Sequence, residues 1–148
     1  MTRTRLSLLL QLLTATCLGI AFTALVGCSP SEKPLEAPEG VKVVQGPYAP
    51  ENDEYGDTLI VSWDPVDDDR VDGYVIYRAE QGLGPTPGEK TEYEMQALTF
   101  ALKYTDEEVH TTDKYPTMHY FYRIAVITAD GVVGPLSEEV DIEYAPLG

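Results

Sequence analysis

From residue 41 onward, the chain consists of short runs of Val, Ile, Tyr and Thr in which apolar and polar residues alternate, and Gly, Pro or Asp separates one run from the next. Alternation with a period of two is typical of β-strands that bury one face, and such faces must pack against another layer. The pattern predicts strands at Val41–Val43, Leu59–Trp63, Gly73–Ala79, Met118–Ala129 and Val140–Tyr144. It therefore predicts an all-β sandwich, with no internal repeat and no second domain.

The segment from Thr91 to Thr105 is ambiguous by composition, because Glu, Met, Gln, Ala and Leu are good helix formers. The periodicity of the segment indicates strands. Tyr93, Met95 and Ala97 alternate with polar residues, and Leu98 then begins an alternation in the opposite phase. This change of phase predicts two strands, or a switch of the chain from one sheet to the other.

Taken in order, several motifs resemble those of fibronectin type III domains, and the resemblance covers residues 38 to 144. The motifs are Pro38-Glu39-Gly40-Val41, Ile60-Val61-Ser62-Trp63-Asp64-Pro65, Gly73-Tyr74-Val75-Ile76-Tyr77-Arg78, Tyr104-Thr105-Asp106 and Tyr120-Phe121-Tyr122-Arg123-Ile124-Ala125-Val126, with Gly131 and Ser137 spaced as in the family. The resemblance implies a fibronectin type III-like (immunoglobulin-like) seven-stranded β-sandwich over residues 39–146, made of a three-stranded and a four-stranded sheet.

Within that resemblance, Tyr120 matches the tyrosine-corner position, whose hydroxyl bonds to the preceding loop. The chain departs from the family in its long acidic loop, Pro47 to Asp57, and it has no Arg-Gly-Asp triplet. Integrin-type adhesion is therefore unsupported.

The first 27 residues have the pattern of a signal peptide. Arg3 and Arg5 precede a mostly apolar run from Leu6 to about Phe22, and Leu25-Val26-Gly27-Cys28 resembles the lipobox of bacterial lipoproteins. This resemblance implies removal of residues 1–27, lipidation of Cys28 with diacylglycerol and a further acyl chain such as palmitate, and a flexible tether over residues 28–38. The alternative is that Leu6 to Val26 forms a transmembrane helix.

The same resemblance implies a location and a partner. Two or more acyl chains anchor a protein stably, so the membrane is the expected partner of Cys28. Ser29 resembles an outer-membrane sorting signal, which favours the outer membrane of a Gram-negative cell envelope.

The charge of the mature chain excludes some partners. Removing residues 1–27 takes away two arginines and no acid, which changes the formal charge from −15 to −17. So acidic a surface repels nucleic acid and anionic lipid. Cys28 is the one cysteine left after cleavage, so no disulfide forms within the mature chain.

The sequence offers no catalytic constellation and no cofactor motif. His110 and His119 are its two histidines, and no serine or mature cysteine lies in a nucleophile motif. We therefore expect a protein that is not an enzyme. Trp63 is in phase with Leu59 and Val61, which assigns it to the core rather than to a sugar-stacking platform.

A cluster of aspartates follows Trp63 and is a weak calcium candidate. It comprises Asp64, Asp67, Asp68, Asp69 and Asp72, whose oxygens suit calcium. The spacing is not that of an EF-hand, because Val71 occupies a ligand position and no Glu closes the loop. A solvated acidic turn is the alternative interpretation.

Five residues out of phase with the core are the candidate protein-binding patch: Val75, Tyr77, Phe121, Arg123 and Ile127. We expect them to lie side by side on the outer face of the larger sheet, forming an apolar and aromatic patch with one cation. The alternatives are that scattered outward hydrophobic residues are ordinary, or that the 91–97 segment partly covers them.

These features predict a lipid-anchored module that binds another envelope or secreted protein without catalysis. Two other functions stay open, an accessory module of a polysaccharide-handling system and a structural spacer.

Overall fold

The alternating runs form strands in the computed structural model, which describes residues 33–46 and 58–146. The described part contains eight strands: β1 (Lys42–Gln45), β2 (Leu59–Ser62), β3 (Val71–Leu83), β4 (Glu94–Thr99), β5 (Lys103–Asp106), β6 (Thr117–Thr128), β7 (Val133–Leu136) and β8 (Val140–Tyr144). Residues from Lys33 onward belong to one compact unit. Within the two described ranges, no helix could cross a membrane.

The strands form two antiparallel sheets. The first sheet has the order β1-β2-β5, and the second has the order β4-β3-β6, with both β7 and β8 paired to β6. If β7 and β8 are taken as one interrupted strand, these are the predicted three-stranded and four-stranded sheets. The predicted β-sandwich is therefore confirmed.

Ser137 lies at the interruption between β7 and β8. Its backbone N–H donates to the Ile124 carbonyl at 2.7 Å, and its buried side-chain hydroxyl accepts from the Ile124 N–H at 2.9 Å. The hydroxyl thus replaces a carbonyl of the sheet ladder, so the backbone of β6 stays paired across the break. The sequence pattern did not predict β7, because Gly134 and Pro135 interrupt its alternation.

The core lies between the sheets and consists of the residues expected from the alternation. Its members, all buried, are Leu59, Val61, Trp63, Tyr74, Ile76, Val109, Met118, Tyr120, Tyr122, Ile124, Val126 and Tyr144. The Trp63 and Tyr74 rings are tilted against each other, with centroids 5.4 Å apart. Trp63 is therefore a core residue, as predicted.

The tyrosine corner is present. The Tyr120 hydroxyl donates to the His110 carbonyl and accepts from the His110 N–H, both at 2.9 Å. These two bonds fix the loop before β6 against the start of that strand.

The sequence did not predict a charged pair in the interior. The Arg78 guanidinium donates from Nη1 to both carboxylate oxygens of Asp106, at 3.0 and 2.8 Å, and Asp106 is fully buried. The Tyr122 hydroxyl and the Glu108 N–H also donate to this carboxylate, at 2.7 and 3.0 Å. Every oxygen of the buried carboxylate is therefore hydrogen-bonded, which offsets the cost of removing the charge from water.

The observed strands and chain segments match the sequence prediction only in part. The segment from Thr91 to Thr105 contains two strands in different sheets, β4 and β5, as predicted, but the change of phase at Leu98 lies within β4 rather than between the two strands. The longest strand is β3, with 13 residues, rather than β6, with 12. Before β1, Leu35 packs against the core and Pro38 is buried. The acidic loop 47–57 and the signal and lipobox residues lie outside the described residues.

Candidate protein-binding face

The candidate site is the outer face of the second sheet, meaning the face turned away from the core. In antiparallel pairs, residues directly opposite each other share a face. Val75 lies opposite both Ala125 and Leu98, and Ala125 also lies opposite Leu136. This pairing places Leu98, Val75, Ala125 and Leu136 in one row across four strands.

The five residues of the predicted patch lie on this face, as their phase indicated. Tyr77 is opposite Arg123, Phe121 is opposite Ala79, and Ile127 is opposite Gly73. None of the five belongs to the core cluster of the described residues. Their side-by-side arrangement on β3 and β6 is thus as expected.

Their expected exposure is wrong for two of them. Val75 is 2% exposed and Phe121 is 8% exposed, although both point away from the core. Tyr77, Arg123 and Ile127 are partly buried. The predicted patch therefore presents little apolar surface to a partner around Phe121.

The cover over Phe121 comes from the loop between β3 and β4. The Lys90 ammonium lies 3.7 Å from the centroid of the Phe121 ring and 2.7 Å from the Glu139 carboxylate. The Tyr93 hydroxyl donates to the same carboxylate, and the His119 ring packs on Phe121 with centroids 4.3 Å apart. A cation over an aromatic face, paired with an acid, is a favourable arrangement that closes this part of the surface. Covering by the 91–97 segment was the alternative interpretation, whereas the residue over Phe121 is Lys90, which precedes that segment and shares the Glu139 carboxylate with Tyr93.

The two charged residues of this cover, Lys90 and Glu139, stay ionised at neutral pH. Hydrogen bonds from Lys90 and Tyr93 lower the pKa of Glu139 below its usual value. Burial of Lys90 acts to lower its pKa, but hydrogen bonds to Glu139 and Tyr93 outweigh burial and raise it. Burial and the bond to Glu139 raise the pKa of Tyr93. Lys90 and Glu139 are therefore both ionised around pH 7, and the cover is held by charge as well as by packing.

The other half of the outer face is open and apolar. Met95, Leu98 and Leu136, on β4 and β7, are between 44% and 65% exposed, and Leu98 lies directly opposite the buried Val75. We call Val75, Met95, Leu98 and Leu136 the apolar face. Large apolar side chains grouped on a surface are typical of interaction sites, whereas single ones are common on any protein.

Sequence reasoning missed Met95, Leu98 and Leu136 as site residues. Met95 and Leu98 are three positions apart, so simple alternation places them on opposite faces. A register shift between Ile76 and Tyr77 leaves Gln96 as an extra residue in β4, and both Leu98 and Met95 then face outward, opposite Val75 and Tyr77. The change of phase at Leu98 was the signal that could have revealed this bulge.

The aspartate cluster gives no support to a calcium site. Asp68 is engaged by Arg70, whose Nη2 and Nε donate to its oxygens at 2.6 and 2.9 Å. These bonds hold the pKa of Asp68 well below its usual range. Within residues 33–46 and 58–146, no three His, Cys, Asp or Glu side chains converge as a metal site.

Each of the two histidines has a polar partner within hydrogen-bond distance. His119 Nε2 lies 2.7 Å from Asp141, and His110 Nδ1 lies 3.1 Å from the Glu108 carbonyl. Both contacts tie neighbouring chain segments together. Cys28, the predicted lipidation site, lies outside the described residues.

Comparison with known proteins bears on the fold. No protein-family model matches the sequence, and a comparison with curated proteins found no match. The third fibronectin type III domain of the human KIAA0343 protein superposes with a TM-score of 0.52 at 19% identity, covering 78% of this chain and 85% of that domain.

The twitchin kinase region of C. elegans, which includes a fibronectin type III domain, superposes with a TM-score of 0.51 at 17% identity. That match covers 77% of this chain but only 17% of the twitchin chain, so it concerns one part of a much longer protein. Together with the sheet order and the tyrosine corner, these likenesses identify the described part of the chain as a fibronectin type III-like β-sandwich.

Proposed function

We propose that this chain is a membrane-anchored lipoprotein, lipidated at Cys28, whose fibronectin type III-like domain is a non-catalytic module that binds another protein of the cell envelope. The observation that supports the binding role is the apolar face, where Met95, Leu98 and Leu136 expose apolar surface on the same face of the second sheet as Val75. Tyr77 and Arg123 lie opposite each other beside it, and their residue types are enriched at protein interfaces.

The fold is consistent with this role, because sandwiches of this size offer surfaces and loop ends to a partner. The polysaccharide alternative would call for an exposed aromatic platform, and the single tryptophan, Trp63, is a core residue. The spacer alternative makes a distinct prediction, namely that changes on the apolar face have no effect on binding or on the cell.

The anchor is tested separately from the binding. In bacteria that express the full-length chain, mass spectrometry of the N-terminal peptide is expected to find residues 1–27 removed and acyl chains on Cys28. Cys28→Ala should abolish lipidation and release the domain from the membrane fraction. An uncleaved, membrane-bound chain would instead favour the transmembrane alternative.

The binding is tested with the domain from Ser29 to Gly148 as bait for solubilised cell envelope. The informative comparison is with the double variant Met95→Ser, Leu98→Ser, which removes apolar surface without touching the core. Val44→Ser is the matched control, because Val44 is an equally exposed valine on β1 of the other sheet. A protein retained by the native domain and by Val44→Ser, but lost with the double variant, is the expected result. Equal capture by all three would contradict a binding role for this face.

A further inference from the structure

We propose that the end of the domain nearest the lipid anchor rests on the bilayer through four apolar residues, Phe100, Leu102, Val132 and Val133, and that the apolar face is thereby left free at the side. We call these four residues the apolar end. This inference rests on the proposed lipidation of Cys28 and adds a second contact with the same membrane.

The apolar end is built by two turns at one end of the second sheet. Phe100 and Leu102 lie between β4 and β5, and Val132 and Val133 lie at the turn between β6 and β7. Phe100 and Ile127 both approach Gly73, at 3.5 and 3.6 Å from where a Cβ on that glycine would stand. Because Ile127 also pairs with Val133, the two turns are joined by a continuous apolar row.

The apolar side chains of this end are more exposed to solvent than is usual in a turn that faces water. Phe100 is 74% exposed, the largest exposed fraction among the large hydrophobic side chains described, and the other three are between 40% and 52% exposed. A phenyl ring neither donates nor accepts an ordinary hydrogen bond, so hydrogen bonding within the turn does not explain Phe100. Exposed Phe and Leu side chains are the kind that insert at the boundary between headgroups and acyl chains.

The chain enters the domain at the same end. Leu35 packs beside Gly134 of β7, with its Cβ 3.2 Å from where a glycine Cβ would stand, and Gly134 in turn lies against Val126. Six residues lie between Cys28 and Leu35, and the seven Cα–Cα steps that join the two span at most about 25 Å when fully extended. The 13 residues of β3 extend about 40 Å away from this end. The described chain therefore enters the domain at the end that carries these turns.

The negative charge of the chain favours contact with a zwitterionic bilayer over contact with an anionic one. The mature chain has a formal charge of −17, and the exposed Asp72 and Asp130 flank the apolar end. These charges repel an anionic surface, so the contact is apolar rather than electrostatic. A weak contact suffices, because the lipid anchor already holds the domain at high effective concentration beside the membrane.

The test uses the full-length lipidated chain in vesicles of phosphatidylcholine and phosphatidylethanolamine with brominated acyl chains, which quench tryptophan on contact. The variants Phe100→Trp and Val132→Trp report from the two turns of the apolar end. Thr86→Trp is the matched control, on an exposed loop beyond the far end of β3. Trp63 is buried in the core and contributes the same emission to every variant.

We expect quenching at Phe100→Trp and Val132→Trp about twofold or more above that at Thr86→Trp, since inserted side chains reach the acyl boundary. Replacing part of the lipid with phosphatidylglycerol should reduce this difference. Equal quenching at near and far positions, whether strong or absent, would overturn the inference and leave the apolar end to a protein partner. Mass spectrometry that finds Cys28 unmodified would overturn the anchor as well, so the two failures are distinguishable.

Discussion

Removing the charge of Asp106 is expected to destabilise the domain strongly. The carboxylate is fully buried and accepts hydrogen bonds from Arg78, Tyr122 and the Glu108 N–H. The Arg78 side chain is itself only 12% exposed, so Asp106→Asn leaves a buried guanidinium whose remaining acidic partner is Glu80, at 4.0 Å. Breaking a buried pair in this way costs about 3–5 kcal/mol, and for a domain of this size that corresponds to a fall in Tm of roughly 12–20 °C.

Urea unfolding followed by the fluorescence of Trp63, the single tryptophan, measures this change. The paired variant Arg78→Met, Asp106→Leu removes both charges and should be less destabilised than Asp106→Asn, because no buried guanidinium is left without Asp106 and the remaining acid, Glu80, is partly exposed. Glu36→Gln is the control for an ion pair on the surface, since both members of the Lys33–Glu36 pair are well exposed, and it should leave the unfolding midpoint unchanged. The reasoning would be refuted if Asp106→Asn shifted the midpoint no more than Glu36→Gln does.

Three further predictions concern tyrosines and the cover over Phe121. Burial and the Asp106 carboxylate raise the pKa of Tyr122, so its contribution to stability is complete below the usual tyrosine pKa of about 10 and is lost as pH rises above it. Tyr122→Phe should therefore lower the free energy of unfolding by about 1–3 kcal/mol at pH 7. Its urea midpoint should also decline less steeply above pH 10 than that of the native domain, and an unchanged slope would contradict this. The pKa of Glu139 is lowered by its bond from Lys90, so its contribution is present at neutral pH and lost as pH falls below about 4.5; Glu139→Gln should weaken the acid dependence of unfolding between about pH 5 and pH 3. Tyr120→Phe removes both hydrogen bonds to the His110 backbone and should cost about 1–3 kcal/mol, with faster amide exchange at the His110 N–H; unchanged exchange there would contradict the role of the tyrosine corner.

The strands of the core were predictable because both sheets bury one face against the other. Leu59 and Val61 alternate with partly exposed neighbours, and in β6 the core residues Met118, Tyr120, Tyr122, Ile124 and Val126 recur at every second position. Such a pattern is local, and a period of two in the sequence is sufficient to reveal it. The assignment of Trp63 to the core followed from the same logic.

The interior ion pair could have been predicted and was not. Arg78 is in phase with Tyr74 and Ile76, both core residues, and Asp106 is in phase with Tyr104. Two opposite charges, each at a core-facing position on a different strand, are the sequence signal of a buried pair. A basic residue on an inward phase is an indication to search for an acid on another strand.

The cover over Phe121 was not predictable from alternation. Phase placed Phe121 correctly on the outer face, but its burial depends on Lys90 and Glu139, which are 49 positions apart in the chain. The open surface formed by Leu98 and Met95 likewise depends on a bulge in β4, which the sequence signals by a change of phase but which the pairing with β3 places at Gln96. Phase therefore predicts which face a residue is on, whereas exposure depends on contacts between distant segments.

The most direct test of the proposed binding role is site-specific photocrosslinking in bacterial cells that express the full-length chain. Leu98→p-benzoylphenylalanine places the photoreactive group on the apolar face, and Val44→p-benzoylphenylalanine places it at an exposed position on the other sheet. The account predicts a discrete protein adduct on irradiation of the Leu98 variant and none from the Val44 variant. No adduct from either position, or the same adduct from both, would contradict a protein-binding site on the outer face of the second sheet.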